Sequence, residues 1–300
     1  MKRSKTSFAV FVLPAFVIYT IFMLLPLISS LGLSLFSWTG YGEKEFVGLS
    51  NFSRLFTENP FNVRFFNSLF NNMKFFIYTI ILQNVAALVI ALLLNKELTG
   101  SKFFRTVYFI PTTISVVIVG FLWTLIYNPL WGPLNYVLKS VGLEFLAKPW
   151  LGDPKFALLS IAVANAWQYV GIPMMLFLAG LQSISQDIYE ASDIDGVSSW
   201  QKFFYITLPL ISPVIFIITT LTFVGNFSAF EIIYAMEGTL AGPNYSTDIL
   251  GTFFYRTSFG QRAGAPPDMG LGAAIASCMF AIIGLGVILW FNLYGKRENY

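Results

Sequence analysis

The stretch Glu190-Ala191-Ser192-Asp193-Ile194-Asp195-Gly196, followed after nine intervening residues by Ile206-Thr207-Leu208-Pro209, decides how this chain is read. It is a short polar island between two long apolar runs. Polar groups on the surface of a membrane protein either face water or bind something. Small residues, a carboxylate, a glycine break and a proline restart at fixed spacing make a docking elbow for a soluble partner. Ser185 is placed to cap a short helix, with Asp187 in its first turn, where a carboxylate favours the positive helix end. Ile188, Ala191, Ser192 and Asp195 share one helical face at three- and four-residue spacing. Gly196 permits the left-handed geometry that ends a helix. Ser198 or Ser199 can cap a second segment, Trp200 to Ile206, and Pro209 then opens the next apolar span.

Composition explains why the island stands out. The chain is 56% hydrophobic and 11% charged, whereas a soluble domain carries roughly 25% charged residues. There is too little charge here for a water-facing surface, so the solvent is mostly lipid. The net charge of +3 comes without a Lys/Arg run of the kind a nucleic-acid backbone needs. Histidine is absent, which removes imidazole acid/base catalysis and His-ligated metal sites. The single cysteine, Cys278, lies in an apolar run and reads as a small packing residue. No catalytic residue, metal or cofactor is expected in the chain itself.

Charge-free stretches run from Thr6 to Gly42, Phe75 to Asn95, Thr106 to Leu138, Phe156 to Gln186, Phe203 to Phe230 and Met269 to Gly295. A helix needs about 20 apolar residues to cross the hydrocarbon core, so each stretch holds one. The fold class is therefore all-α integral membrane with six transmembrane helices. The third stretch reads as one helix plus an irregular outer loop, because Asn128-Pro129, Gly132-Pro133 and Asn135 break its second half. The first apolar run exceeds the roughly 7–15 residues of a signal-peptide core, so it is expected to be retained. Residues 1–72 read as the first helix with an outer loop, 73–295 as a five-helix core containing the elbow at 183–209, and 296–300 as a tail. The connection from Glu231 to Asp268, with Gly238, Gly242-Pro243, Gly264 and Pro266-Pro267, is expected to be irregular and partly exposed. Trp38, Trp131 and Trp150 fall at outer span ends, where interface belting accounts for them.

Six spans put both termini on one side. Lys2, Arg3, Lys5, Lys96, Lys102, Arg105, Lys202, Lys296 and Arg297 lie on that side, half of the 18 basic residues. The opposite loops are much longer, and the orienting rule weighs charge near helix ends in short loops. Basic density thus favours cytoplasmic termini and a cytoplasmic elbow.

The elbow resembles the signature loop of the inner-membrane permeases of binding-protein-dependent ABC importers. Glu190, Ala191, Gly196, Ile206, Leu208 and Pro209 match it, and Ser192 departs from the usual second alanine. Leu13-Pro14-Ala15, Gly48-Leu49-Ser50-Asn51-Phe52 and Phe109-Ile110-Pro111 look like carbohydrate permeases. So do Asn165-Ala166-Trp167, Leu178-Ala179-Gly180-Leu181-Gln182 and Gly270-Leu271-Gly272-Ala273-Ala274. Together these are most similar to the first permease of the maltose, glycerol-phosphate and multiple-sugar type. The resemblance implies the type I importer permease fold in a bacterial or archaeal cell membrane. It implies that the elbow is a coupling helix docking an ATP-hydrolysing subunit. Glu190 would meet basic or hydrogen-bonding groups there, Ala191 and Ser192 would allow close approach, Asp195 would share the face and Gly196 would turn the chain. A second permease, an extracytoplasmic sugar-binding protein and a sugar substrate are the other implied partners.

Polar residues within spans are candidates for substrate contact, because an amide facing lipid is expensive. Span two offers Gln83 and Asn84. Asn165, Trp167 and Tyr169 in span four combine an amide with aromatic faces. Thr222, Asn226, Phe227 and Ser228 in span five do the same. Helix-to-helix hydrogen bonding, worth about 0.6 kcal/mol on average, is the competing role for each. Gly171 and Pro173 should break span four, as cavity-lining helices often are broken. No carboxylate lies well inside a span, which disfavours a proton-coupled secondary transporter. No Gly-x-x-x-x-Gly-Lys-Ser/Thr loop is present, so ATP would be bound by a partner. A secondary transporter, an ABC permease for a non-sugar solute and a membrane enzyme are the alternatives. The enzyme would need a Ser or Thr nucleophile without an evident base.

Overall fold

A computed structural model describes residues 5–96, 100–260 and 266–298. The expectations at Lys2, Arg3 and Gly264 lie outside the described residues, as do the side chains of Lys5, Lys296 and Arg297. Among the described residues, three helices are long and apolar enough to cross a membrane: Val10–Leu33, Phe61–Leu94 and Met269–Gly295. Three bent pairs complete six spans if each pair is one: Ser101–Thr113 with Val116–Ile126, Ala157–Tyr169 with Gly171–Gln182, and Ser199–Leu210 with Ser212–Phe227.

The bends fall at glycine and proline. The fourth span breaks by 51° between Tyr169 and Gly171, where glycine was expected to break it. A Cβ on Gly171 would stand 2.5 Å from the Tyr108 carbonyl oxygen, so only glycine lets the two backbones meet there. The third span differs from expectation. It turns by 100° in its middle, where Ile110–Thr113 tightens to a 3-10 turn with Pro111 at its start. Thr112 and Thr113 donate their hydroxyls back to the carbonyls of Phe109 and Ile110. Proline cannot donate and the threonines serve the carbonyls locally, so the α-helical ladder lapses. Gly132-Pro133 does not break a helix but opens one, Pro133–Ser140, since proline's missing N–H is harmless at a first position.

The fifth span also begins differently. Pro209 sits within the short helix Leu208–Leu210, behind a π-helical turn at Phe203–Thr207. The long helix starts at Ser212 after a 67° bend, with Pro213 in its first turn. The connection 231–268 is likewise not irregular throughout. It holds the helices Glu231–Glu237 and Leu250–Phe259, and Thr247, Asp248, Ile249 and Leu250 are fully buried. Buried polar partners account for it. The Ser68 hydroxyl donates to Asp248 at 3.2 Å and the Thr252 hydroxyl at 2.7 Å.

The chain packs as two units. The first comprises Met1–Phe66 and Phe253–Ile282. Its first span is outward-facing, with Phe11, Phe16, Ile18 and Phe22 exposed, a surface suited to lipid. Among the described residues one small ribbon occurs, here, with Phe36–Ser37 paired antiparallel with Glu45–Phe46. Buried Asn51 donates to the carbonyls of Ser34 and Phe36, both at 2.9 Å. Gly270 lies directly against the Phe36 carbonyl, and Gly272 against Ser258. Of the short motifs, Gly270-Leu271-Gly272-Ala273-Ala274 therefore works by close approach, and Gly48-Leu49-Ser50-Asn51-Phe52 through the Asn51 amide.

The second unit comprises Asn67–Thr252 and Ile283–Tyr300. One apolar centre joins Ala87, Ala91 and Leu94 to Met174, Phe177, Leu178 and Leu181. Alanines one turn apart let the helices approach closely, as membrane packing favours. A second centre gathers Phe75, Val119, Leu158, Ile161, Ile232 and Ile233. Trp150 packs against this second centre and donates to Asn135 at 2.8 Å, so it is held inward, whereas Trp131 is exposed.

Candidate functional site

Two features of the second unit bear on function: the elbow and a cavity. The elbow helix is Gln186–Ile194. The Asp187 amide donates to the Ser185 hydroxyl at 3.3 Å, an N-cap. At its other end the Val197 amide donates to the Ser192 carbonyl and the Gly196 amide to the Asp193 carbonyl, at 3.1 and 3.2 Å. Gly196 has φ +70°, so the helix ends in a Schellman motif that glycine enters without a Cβ penalty. Ser198 caps the following helix, Ser199–Lys202, in a reciprocal capping box with Gln201. This second helix gives way to the π-helical turn at Phe203, short of the expected Ile206.

Two contacts brace the elbow. Lys202 pairs with Asp193 at 2.5 Å, and the Tyr189 and Thr207 hydroxyls lie 3.2 Å apart. Glu190, Ala191, Asp195 and Gly196 are exposed. Ser192 is buried and donates to the Tyr189 carbonyl at 2.7 Å, so its hydroxyl serves the elbow internally. Ile194, Trp200 and Tyr205 stand 87%, 73% and 79% exposed, three large apolar side chains beside the acidic helix. Their sequence neighbours hid them: a lone Ile among Asp residues carries no periodic signal.

The cavity encloses ≈ 460 Å³ and is lined from the second, third, fourth and fifth spans and the start of Glu231–Glu237. Of the seven residues expected there, Asn165, Tyr169, Thr222, Asn226 and Ser228 line it. Trp167 does not. It turns outward, 43% exposed, edge-on to Trp123, because Asn165 and Tyr169, four apart, share a helix face and Trp167, two from each, falls on the opposite one. Phe227 does not either, being buried against Phe223.

The lining divides in two by hydrogen bonding. Thr222 and Asn226 are engaged in the wall. Asn84 donates to the Thr222 hydroxyl at 3.0 Å, and Asn226 accepts from Thr79 at 3.0 Å while donating to the Thr222 carbonyl at 2.7 Å. Asn72 donates to the Asn226 carbonyl at 2.9 Å and accepts from the Leu250 amide at 2.8 Å. These bonds tie the second and fifth spans together. Gln83, Asn165, Tyr169, Ser228 and Glu231 have no side-chain hydrogen bond among the described residues. Gln83 sits in a π-helical turn, Ile80–Val85, of the kind that recurs at functional positions. Glu231 was assigned to a span end, and nothing local in the sequence aimed it into a cavity. The arrangement offers donors, acceptors and the rings of Tyr169, Phe75 and Phe230. Such a wall can bind a hydroxyl-rich solute with apolar C–H faces.

Residues 83–299 match the family model described as "Binding-protein-dependent transport system inner membrane component". The chain belongs to this family. The permease is 35% identical to "Probable ABC transporter permease protein YurN" of Bacillus subtilis (strain 168), over 99% of this chain and all of that protein. It is 32% identical to "Lactose transport system permease protein LacF" of Rhizobium radiobacter, and equally to "Trehalose/maltose transport system permease protein MalF" of Thermococcus litoralis. Each alignment covers 96% of this chain and 93% of the relative. Among solved structures, a bacterial ABC transporter involved in the import of alginate superposes with a TM-score of 0.78 at 24% identity. That match covers 99% of this chain and 96% of the other, a likeness of fold. The permease thus has the ABC importer fold expected for it and is a membrane protein.

Proposed function

We propose that this permease forms one half of the translocation pathway of an ATP-driven sugar importer. The carrying observation is the cavity, where five polar side chains without internal partners among the described residues stand beside aromatic rings at the break in span four and the end of span five. Sugar-transporting relatives support the solute class. In this reading Asn165, Tyr169 and Ser228 contact the solute, with Gln83 and Glu231 added. Thr222 and Asn226 shape the wall, and Trp167 and Phe227 support it from behind. Residues 73–295 form the working core.

The elbow, 183–209, docks an ATP-hydrolysing subunit through Glu190, Ala191, Asp195 and Gly196, with Ser192 holding its shape. Ile194 and Tyr205 widen that surface. ATP binds and is hydrolysed in the partner, both termini are cytoplasmic, and a second permease and an extracytoplasmic binding protein complete the importer. The test is ATP hydrolysis in proteoliposomes holding the permease, its partner permease and the ATPase, with the cognate binding protein and a sugar panel. Stimulation by one sugar supports the reading and names the solute. No stimulation from a basally active complex redirects it to a non-sugar solute.

A further inference from the structure

The cavity has one ionisable carboxylate, Glu231, at the start of the helix Glu231–Glu237. No lysine or arginine lines it among the described residues. Its other unpaired polar groups, Gln83, Asn165, Tyr169 and Ser228, are uncharged near neutral pH. A recess lined by one sign of charge with low-dielectric walls concentrates solutes of the opposite sign and repels its own. A carboxylate without a cation partner also accepts hydrogen bonds from hydroxyls, which makes it a good neighbour for a neutral saccharide.

We propose that Glu231 is a charge-selecting residue: this half of the pathway admits neutral or cationic hydroxylated solutes and rejects uronates and phosphorylated sugars. The proposal rests on reading the cavity as the solute pathway. An anionic solute here would face the Glu231 carboxylate with no basic side chain to neutralise either charge. A neutral one would find an acceptor in Glu231 and donors in Asn165 and Gln83. The chemistry therefore excludes an acidic polysaccharide of the kind the structural neighbour imports, although the folds agree.

The test reads the charge of the cavity directly, without knowing the solute. In the assembled importer, with Cys278→Ala removing the native thiol, Ser228→Cys places a reporter in the cavity wall. Its labelling rate is measured with cationic, neutral and anionic methanethiosulfonates of similar size. With Glu231 present, the cationic reagent should outpace the anionic one by about tenfold or more relative to their rates with free thiol. Glu231→Gln should bring that ratio close to one, and Glu231→Lys should invert it. A ratio unchanged by both substitutions overturns the proposal. If the ratio responds but no saccharide stimulates ATP hydrolysis, the charge filter stands and the sugar reading falls. Uptake then gives the functional counterpart: Glu231→Lys should admit a uronate-bearing oligosaccharide that the unsubstituted importer excludes.

Discussion

At the residue scale, Gly196 and Asn72 carry the sharpest consequences. Gly196 holds φ at +70° with open space around its would-be Cβ, so conformation alone decides what it tolerates. Gly196→Ala should cost about 1 kcal/mol locally and leave much of the coupling. Gly196→Pro, locked near φ −65°, should abolish binding-protein-stimulated ATP hydrolysis at normal membrane levels, which a proteoliposome assay reads directly. Asn72 is fully buried and serves two backbone groups, the Asn226 carbonyl and the Leu250 amide. Asn72→Leu leaves the Leu250 amide without its partner and takes one donor from the Asn226 carbonyl, which keeps the Ala229 amide at 3.3 Å. It should lower stability by about 2 kcal/mol or more, seen as an earlier thermal transition in detergent, while Asn72→Asp spares the bond from Leu250 alone.

At the element scale, breaks and ends matter more than the helices between them. The fourth span bends where Gly171 meets the backbone of Tyr108 and Phe109. Gly171→Ala should therefore cost about 1–3 kcal/mol by overpacking, whereas Gly284→Ala, with nothing within 4 Å, should stabilise by up to about 1 kcal/mol through helix propensity. Thermal unfolding of the two variants side by side separates helix propensity from backbone contact. The helix Glu231–Glu237 ends on a carboxyl that burial pushes up from 4.5 to about 7, and its Oε1 is buried with no hydrogen-bond partner among the described residues. The folded protein keeps a proton that the unfolded chain gives up, so stability is full below about pH 4.5 and is lost as pH rises through about 7. Glu237→Gln should flatten that fall and leave the permease more stable than wild type at about pH 8, measured by melting in detergent across the window.

At the scale of the whole molecule, the prediction concerns orientation. Basic residues concentrate in the short connections on the side of the termini, which favours cytoplasmic ends. A fluorescent protein fused after Tyr300 should fold and emit in cells, and a protease added outside intact cells should leave it uncut. A silent, externally cleaved fusion would reverse the topology and take the elbow away from any cytosolic ATPase.

What the sequence determined by itself was set by local and compositional physics. Six charge-free runs make a membrane protein. Ser185, Ser198 and Gly196 make an elbow, because capping and left-handed geometry depend on neighbours within a turn or two. Span four bends at its glycine, although the reason only glycine fits there is the distant backbone of Tyr108 and Phe109. Tertiary structure decided what depends on distant partners. The π-helical turn carrying Gln83 leaves no periodic trace. The buried, helical connection around Asp248 looked like a loop, because its polar residues are satisfied by Ser68 and Asn71 roughly 180 positions away. The cavity is the clearest case. Composition nominated Asn165, Asn226 and Thr222 alike, but only packing decided which amides are bound into the wall and which are free to meet a solute. A side chain's hydrogen-bond partners are fixed by the fold, and function uses those left over.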